Sequence, residues 1–278
     1  MRYPILAGLL LTLLFLVACS LGSKVDEQPG PDGAAVEVGP VESDLPPVCR
    51  TITEIPVGDC AALVAFYDST DGPNWKISSR WLETDEPCDW VGLRCEKGHV
   101  TAILINDNNL RGSLPPEMGD LSELKSLTLY FNELNGRLPK ELGKLGHLET
   151  LILHNNDLTG SIPAELGNLW NLKILDLDSN ELEGSIPPAL GNLANLETLK
   201  LNDNNLSGSI PPELGHLTEL EGLFLAGNQL SGSVPAELAE LPRLWMLDLR
   251  YNQLDGPLPP GLEQTVRSGY DLLKWQRQ

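Results

Sequence analysis

The chain has 278 residues, and its 39 Asp and Glu residues against 19 Lys and Arg give a formal net charge of −20. Nucleic-acid affinity depends on Lys and Arg displacing counterions from phosphates. This charge balance therefore excludes nucleic-acid binding as a main function, and adhesion of the acidic surface to anionic headgroups with it. Only 5% of the residues are aromatic, which predicts an aliphatic core.

Residues 1–19 have the pattern of an export signal. Arg2 supplies positive charge, and the uncharged run 5–18 is too short for a membrane span of about 20 residues but fits a signal peptide. The run ends in Leu16-Val17-Ala18-Cys19, which resembles the lipobox of bacterial lipoproteins. The resemblance implies removal of residues 1–18 and acyl chains such as palmitate on Cys19. It also implies an extracytoplasmic protein anchored to the cell membrane or outer membrane. An ordinary signal peptide or short membrane anchor with an incidental cysteine is the alternative.

The segment 19–47, which begins at that cysteine, is predicted to be a flexible acidic tether. Gly30-Pro31, Gly39-Pro40 and Pro46-Pro47 interrupt any periodicity, and carboxylates greatly outnumber the single Lys24. Such a composition cannot bury enough apolar area to offset the entropy of ordering.

Four further cysteines, Cys49, Cys60, Cys88 and Cys95, all lie before residue 100. Four cysteines allow three pairings, and proximity in sequence favours Cys49–Cys60 and Cys88–Cys95. Disulfides of this kind indicate an oxidising compartment. A four-cysteine zinc site is the alternative, although the spacing lacks the CxxC pairs that are usual there.

From Val100 the sequence repeats every 24 residues. The first residues of the seven repeats are Val100, Leu124, Leu148, Leu172, Leu196, Leu220 and Leu244. Every repeat has Asn at position 9, Gly at position 13 and Pro at position 16. The asparagines are Asn108, Asn132, Asn156, Asn180, Asn204, Asn228 and Asn252.

Each conserved position of the repeat has a physical role. Apolar residues at positions 1, 4 and 6 place alternate side chains of a short strand inward. The Asn amide both donates and accepts, so stacked copies are predicted to form a buried ladder. Gly permits a bend, Pro extends the return path, and the following Leu-Gly-x-Leu gives a helical turn. One such unit cannot bury its own apolar face, so the repeats are predicted to stack into a solenoid.

The pattern LxxLxLxxNxLxGxIPxxLGxL resembles the leucine-rich repeat of plant receptor kinases and polygalacturonase inhibitors, and it covers residues 100–262. The resemblance implies an α/β solenoid, a right-handed superhelix with a parallel sheet on its concave side. The sequence departs from the pattern at Ala239, where Gly is usual, and after Leu262. Residues 263–278 are predicted to form a C-terminal cap.

Residues 48–99 resemble the N-terminal cap of the same family and are predicted to be a disulfide-bonded cap. Asp59 is expected to N-cap a helix. Trp75, Trp81 and Trp90 are expected to cover the apolar end of the first repeat, with ligand stacking as the alternative.

Positions 2, 3, 5, 7 and 8 of each repeat are expected to point outward from the strands and to form a recognition surface. Exposed aromatic and Arg side chains there are typical anchors of interfaces. The predicted ligand-binding residues are Tyr130, Phe131, His154, Asp176, Asp178, Lys200, Phe224, Trp245, Arg250 and Tyr251. Some of these aromatic residues could instead pack only on each other across strands.

The predicted function is non-catalytic binding of a protein or peptide at the cell envelope, without cofactor or metal. The first alternative is glycan binding or adhesion, with Tyr130, Phe131 and Tyr251 stacking on sugars. The second is an enzyme that uses His154, Asp176 and Asp178 for acid–base or metal chemistry, with His154 and Asp178 close enough to pair. The third is a passive spacer.

Overall fold

One α-helix and fifteen β-strands follow one another along residues 46–262, the part of the chain that the computed structural model describes. The predicted leader 1–18, Cys19 and the predicted cap 263–278 lie outside these residues, as does nearly all of the tether. Among residues 46–262, no helix is long and apolar enough to cross a membrane.

The larger sheet has eight strands, and all neighbours after the first pair run parallel. Its strands, numbered along the chain, are β1 Leu93–Glu96, β2 His99–Leu104, β4 Ser126–Thr128, β6 Thr150–Ile152, β8 Ile174–Asp176, β10 Thr198–Lys200, β12 Gly222–Phe224 and β14 Met246–Asp248. Residues 24 apart face each other across adjacent strands, as Leu127 does Leu151, which confirms the repeat period. The sequence did not predict β1, which pairs antiparallel with β2.

A second parallel sheet, which the sequence also did not predict, has seven strands. These are β3 Arg111–Gly112, β5 Glu133–Arg137, β7 Asp157–Gly160, β9 Glu181–Gly184, β11 Asn205–Gly208, β13 Gln229–Ser233 and β15 Gln253–Asp255. Each strand follows the asparagine of its repeat, and each strand from β5 onward carries a buried Leu at position 11, such as Leu158 or Leu182. The leucines and isoleucines at positions 4 and 6 of each repeat lie in the same core, which is almost wholly aliphatic across the repeats.

The asparagines form the predicted ladder between the two sheets. Asn180 Nδ2 donates to the carbonyl oxygens of Leu153 and Leu177, at 3.1 Å each. Its Oδ1 accepts from the backbone N–H of Leu158 at 3.1 Å. The same bonds recur at Asn156, Asn204, Asn228 and Asn252, so each amide joins its own repeat to the preceding one.

Short 3₁₀ helices close the repeats on the side opposite the larger sheet. Their bounds are Pro116–Asp120, Lys140–Lys144, Ala164–Asn168, Pro188–Asn192, Pro212–His216 and Ala236–Glu240. Each of the first four has a glycine at position 20, where a Cβ would lie within 2.4 Å of a carbonyl oxygen of the next helix. Glycine is therefore required for this close stacking. At Gly215 an added Cβ would meet the Glu237 side chain first and the backbone only at 3.0 Å, so the packing is looser just before Ala239.

The N-terminal cap covers the first repeat as expected. Helix α1 spans Val57–Ser69, and the disulfides Cys49–Cys60 and Cys88–Cys95 are formed, which confirms the predicted pairing. Trp75, Trp81 and Trp90 are buried; the first two pack on the rings of Phe66 and Tyr67, and Trp90 packs on Trp81. Each indole N–H has an acceptor inside the cap, so these tryptophans are structural.

Asp59 is not the N-cap of α1, because Pro56 holds that position and Asp59 lies buried in the first turn. Its Oδ2 accepts from the backbone N–H of Val100 at 3.1 Å and lies 3.7 Å from His99 Nδ1. Burial raises the pKa of the Asp59 carboxyl, although the Val100 hydrogen bond and His99 oppose the shift. This residue ties the cap to the first repeat.

The raised pKa of Asp59 predicts that Asp59→Asn is more stable than the parent at neutral pH. A carboxyl whose pKa is higher in the folded state loses its stabilising effect as pH rises through that value. The asparagine stays neutral, and its carbonyl oxygen in the place of Oδ2 still accepts from the Val100 N–H. The difference in the free energy of unfolding between variant and parent should narrow below the ordinary aspartate pKa of 3.8. Chemical denaturation at neutral pH and below that pKa measures this difference, and a variant that is less stable than the parent at both pH values would contradict the prediction.

Candidate ligand-binding face

The outward side of the larger sheet is the candidate site, and we call it the sheet face. It consists of the side chains at positions 2, 3, 5, 7 and 8 of the seven repeats, on the strands and on the turn that follows each strand. Residues 24 apart are neighbours on it, about 4.8 Å apart. A side chain in one repeat therefore contacts the matching positions of the next repeat.

Three rings form an aromatic cluster in the second and third repeats. Tyr130 stacks on His154, with centroids 4.7 Å apart and an interplanar angle of 5°. Phe131 meets the edge of His154 at 5.3 Å, and His154 Nδ1 lies 2.8 Å from Asn155 Nδ2. The Phe131 side chain remains 53% exposed, which leaves apolar area open to a ligand.

Position 8 has an unusual backbone in every repeat. All seven residues there have a positive φ, between 46° and 65°. Asp, Asn, Ser and Gly occupy five of these positions, and Phe131 and Tyr251 occupy the other two. A left-handed conformation costs about 1 kcal/mol or more for a bulky residue, while Gly, Asn and Asp adopt it readily. These two aromatic residues are therefore poor choices for stability alone.

Asp176, at the centre of the face, is buried rather than open as expected, with 4% of its surface exposed. The Lys200 Nζ of the next repeat lies 3.1 Å from Asp176 Oδ2 and covers it. The two residues therefore form one neutral unit.

Two other carboxylates beside this pair have no cation. Asp178 Oδ2 accepts from Ser179 Oγ at 3.1 Å, while Oδ1 has no hydrogen-bond partner in the described part of the chain. The expected pairing of Asp178 with His154 does not form, because no His154 nitrogen lies within 4.0 Å of a carboxylate in residues 46–262. Partial burial, with the nearby Asp178 and Asp248 carboxylates, raises the pKa of Asp203. Asp203 Oδ1 rests over Gly227, where a Cβ would be only 2.3 Å away.

The last two repeats bring together the remaining predicted residues. Arg250 makes a bidentate pair with Asp248, at 2.8 Å and 2.5 Å, and its guanidinium carbon lies 6.0 Å from the Tyr251 ring centroid. Tyr251 is 57% exposed. Phe224 lies flat over Gly222, since a Cβ there would be 2.7 Å from its ring.

Trp245 belongs to the same end of the face. It is 45% exposed, and its indole N–H donates to Glu221 at 3.4 Å. The face thus has open aromatic rings at both ends and carboxylates between them.

Trp170 is an exposed aromatic residue that the sequence prediction missed. It is 65% exposed, and its indole N–H donates to the carbonyl oxygen of Gly146 at 2.7 Å. It stands at position 23, outside the sheet face, where the other repeats have Ser, Gly, Ala, Thr or Pro. A large aromatic residue at a position that otherwise has small residues was the sequence signal that could have identified Trp170.

The enzyme alternative gains nothing from this geometry. Asp176 is occupied by Lys200, and the His154 ring by Tyr130 and Asn155. Within residues 46–262, no group of three His, Cys, Asp or Glu residues is placed to hold a metal ion. The described residues form a cap and repeats, not a kinase domain.

The fold and the face define a repeat protein with an exposed parallel sheet. A leucine-rich repeat region model matches residues 105–241, and a leucine-rich repeat model matches residues 243–265. Together these matches span more than half of the chain, and the protein belongs to the leucine-rich-repeat family.

Its relatives are plant receptor kinases. Receptor-like kinase TMK4 of Arabidopsis thaliana is 39% identical over 71 residues, which are 26% of this chain and 7% of the kinase. A pollen receptor kinase 3 structure is 33% identical with a TM-score of 0.60, over 71% of this chain and 96% of that one. The plant peptide hormone receptor RGFR1 in complex with RGF2 is 34% identical with a TM-score of 0.56, over 62% of this chain and 28% of that one.

The predicted resemblance to a bacterial lipoprotein is wrong. The repeats are homologous to those of receptor kinases such as TMK4 of Arabidopsis thaliana, which points to a plant protein. The predictions of lipidation at Cys19, of palmitate and of a bacterial membrane anchor are therefore wrong as well. The plant receptor-kinase subtype of the repeat, named from the sequence, agrees with these relatives.

Proposed function

We propose that the sheet face binds a peptide segment, without catalysis and outside the cytoplasm. The observation that carries this proposal is the placement of Phe131 and Tyr251 in left-handed backbone on an outward surface. A residue that opposes the local backbone preference and remains exposed is best explained by a contact with a partner. The passive-spacer alternative gives no reason for these two residues.

A peptide fits the face better than a sugar does. Sugar stacking needs an open aromatic face, and one face of Tyr130 is already covered by His154. Between the open rings at the two ends lie carboxylates and short polar side chains, which suit the side chains and backbone of a peptide. RGFR1, a relative in fold and sequence, is described as a peptide hormone receptor.

An extracytoplasmic location rests on two observations. Both cap disulfides are formed, and disulfides persist chiefly in oxidising compartments. The relatives are receptor kinases, and the repeats match their ligand-binding ectodomains in fold. The whole relatives carry further domains that this match does not cover.

The proposal is tested by selecting random short peptides, displayed on phage, on the immobilised full chain. We expect enriched peptides whose affinity falls at least tenfold in Phe131→Asn and in Tyr251→Asn, because an exposed aromatic anchor contributes about 2 kcal/mol. Asparagine tolerates the left-handed backbone, so both variants should remain folded. Affinity is measured by titration calorimetry.

Trp170→Asn is the matched control, since it removes an exposed ring outside the sheet face. It should leave affinity unchanged. Absence of enriched peptides, or equal losses in all three variants, would contradict peptide binding at this face. Saturable binding of the chain on a glycan array that Phe131→Asn abolishes would favour the sugar instead.

A further inference from the structure

The cations of the sheet face are already paired. Lys200 is held by Asp176 and Arg250 by Asp248. Lys125 and Lys173, at position 2 of their repeats, are paired with Glu96 and Glu149. A ligand that carries negative charge would have to displace one of these partners.

Two carboxylates in the middle of the face remain without a cation. No Lys, Arg or His nitrogen of residues 46–262 lies within 4.0 Å of Asp178 or Asp203. One oxygen of Asp178 is buried without any hydrogen bond in that part of the chain. Partial burial raises the pKa of Asp203, and the nearby Asp178 and Asp248 carboxylates shift this pKa in the same direction. The centre of the face is therefore complementary to positive charge.

Apolar rings flank this centre on both sides. Tyr130 and Phe131 lie two repeats before Asp178, and Trp245 and Tyr251 lie two repeats after Asp203. Five strand spacings of about 4.8 Å separate the second repeat from the seventh, a distance of roughly 24 Å. An extended chain of about seven residues covers that distance at about 3.3 Å per residue.

We infer that the ligand is an extended peptide of about seven residues with a basic side chain at its centre and apolar side chains towards both ends. This inference rests on the proposed function. The basic group lies between Asp178 and Asp203, and the apolar groups contact the rings. An ammonium or guanidinium there is attracted by both carboxylates and relieves the repulsion between the two acids.

The test uses the peptides selected on the full chain. We expect enrichment of Lys and Arg at central positions, and about tenfold weaker binding when the central Lys of a synthetic peptide is replaced by norleucine. In the double variant Asp178→Asn/Asp203→Asn, the Lys and norleucine peptides should bind equally. Glu181→Gln/Glu183→Gln is the matched control, because it removes the same charge from the exposed second sheet and should keep the tenfold preference.

A second measurement needs no variant of the protein. High salt should weaken binding of the Lys peptide to the parent chain but not binding of the norleucine peptide. Enriched peptides without central basic residues, or equal binding of both peptides by the parent chain, would overturn the basic centre and leave peptide binding intact. Failure to enrich any peptide would overturn both.

Discussion

Asn180→Ala should lower the free energy of unfolding by about 3–5 kcal/mol. The substitution leaves the buried Leu158 N–H without its amide partner. It also removes one of the two amide donors to each of the carbonyl oxygens of Leu153 and Leu177, which keep Asn156 and Asn204. A buried polar group that loses its only partner costs about 1–3 kcal/mol, and each of the other two lost hydrogen bonds costs about 1 kcal/mol. The effect is large because the fourth repeat has neighbours on both sides, so water cannot replace the amide without separating repeats.

Urea denaturation followed by circular dichroism measures this loss. Asn205→Ala is the control, since Asn205 lies outside the ladder and is exposed at the start of β11, and it should change stability by less than about 0.5 kcal/mol. Asn180→Asp should also be destabilising at neutral pH, because a carboxylate would face two carbonyl oxygens. Equal stability of the two alanine variants would mean that the ladder does not stabilise the stack.

Gly167→Ala should destabilise the protein by about 3 kcal/mol, at the upper end of the usual effect of overpacking. The new Cβ would lie 2.3 Å from the carbonyl oxygen of Ala189 and 2.7 Å from its carbonyl carbon. Both atoms belong to the backbone of the next 3₁₀ helix, so no side-chain rotation relieves the clash. The third and fourth repeats must move apart, which opens the core between them.

Gly58→Ala is the matched control for this steric argument. Gly58 lies in α1 with nothing within 4 Å of an added Cβ, and alanine is the better helix former by about 0.5–1 kcal/mol. The same chemical change should therefore stabilise one site and destabilise the other. Thermal unfolding of both variants measures the two signs, and two changes of the same sign would show that crowding at Gly167 is not limiting.

The period of the sequence was sufficient to predict the repeat and the asparagine ladder, because both depend on residues that recur at fixed spacing, as Asn180 and Leu151 do. The disulfide pairing was predicted instead from the short separation of the cysteines in the sequence. The second sheet was not predicted, because its strands are held by backbone bonds while their side chains vary. Leu158 and its equivalents at position 11, together with the glycine at position 13, were its constant signals.

The site was predicted less completely, since position in the repeat indicates direction but not partners. Asp176 points outward, and its burial depends on Lys200 in the next repeat. The left-handed turn at position 8 was readable from the small polar residues found there, and Phe131 and Tyr251 then stand out as departures. Asp59 was assigned to the wrong position because the helix begins one residue after Pro56, in a stretch without an ordinary capping side chain.

Contacts between adjacent repeats join residues at a fixed separation in the sequence, and this limits how such a protein can change in evolution. Every amide of the asparagine column and every tight glycine contact reaches the same distance along the chain, to the adjacent unit. Duplication or loss of one whole 24-residue unit rejoins matching surfaces, whereas any other insertion breaks both columns. Recombination in whole units would change the distance between the aromatic residues at the two ends of the sheet face by about 4.8 Å for each unit gained or lost. The length of ligand that the face accommodates would then change, while the residues at each end stay the same.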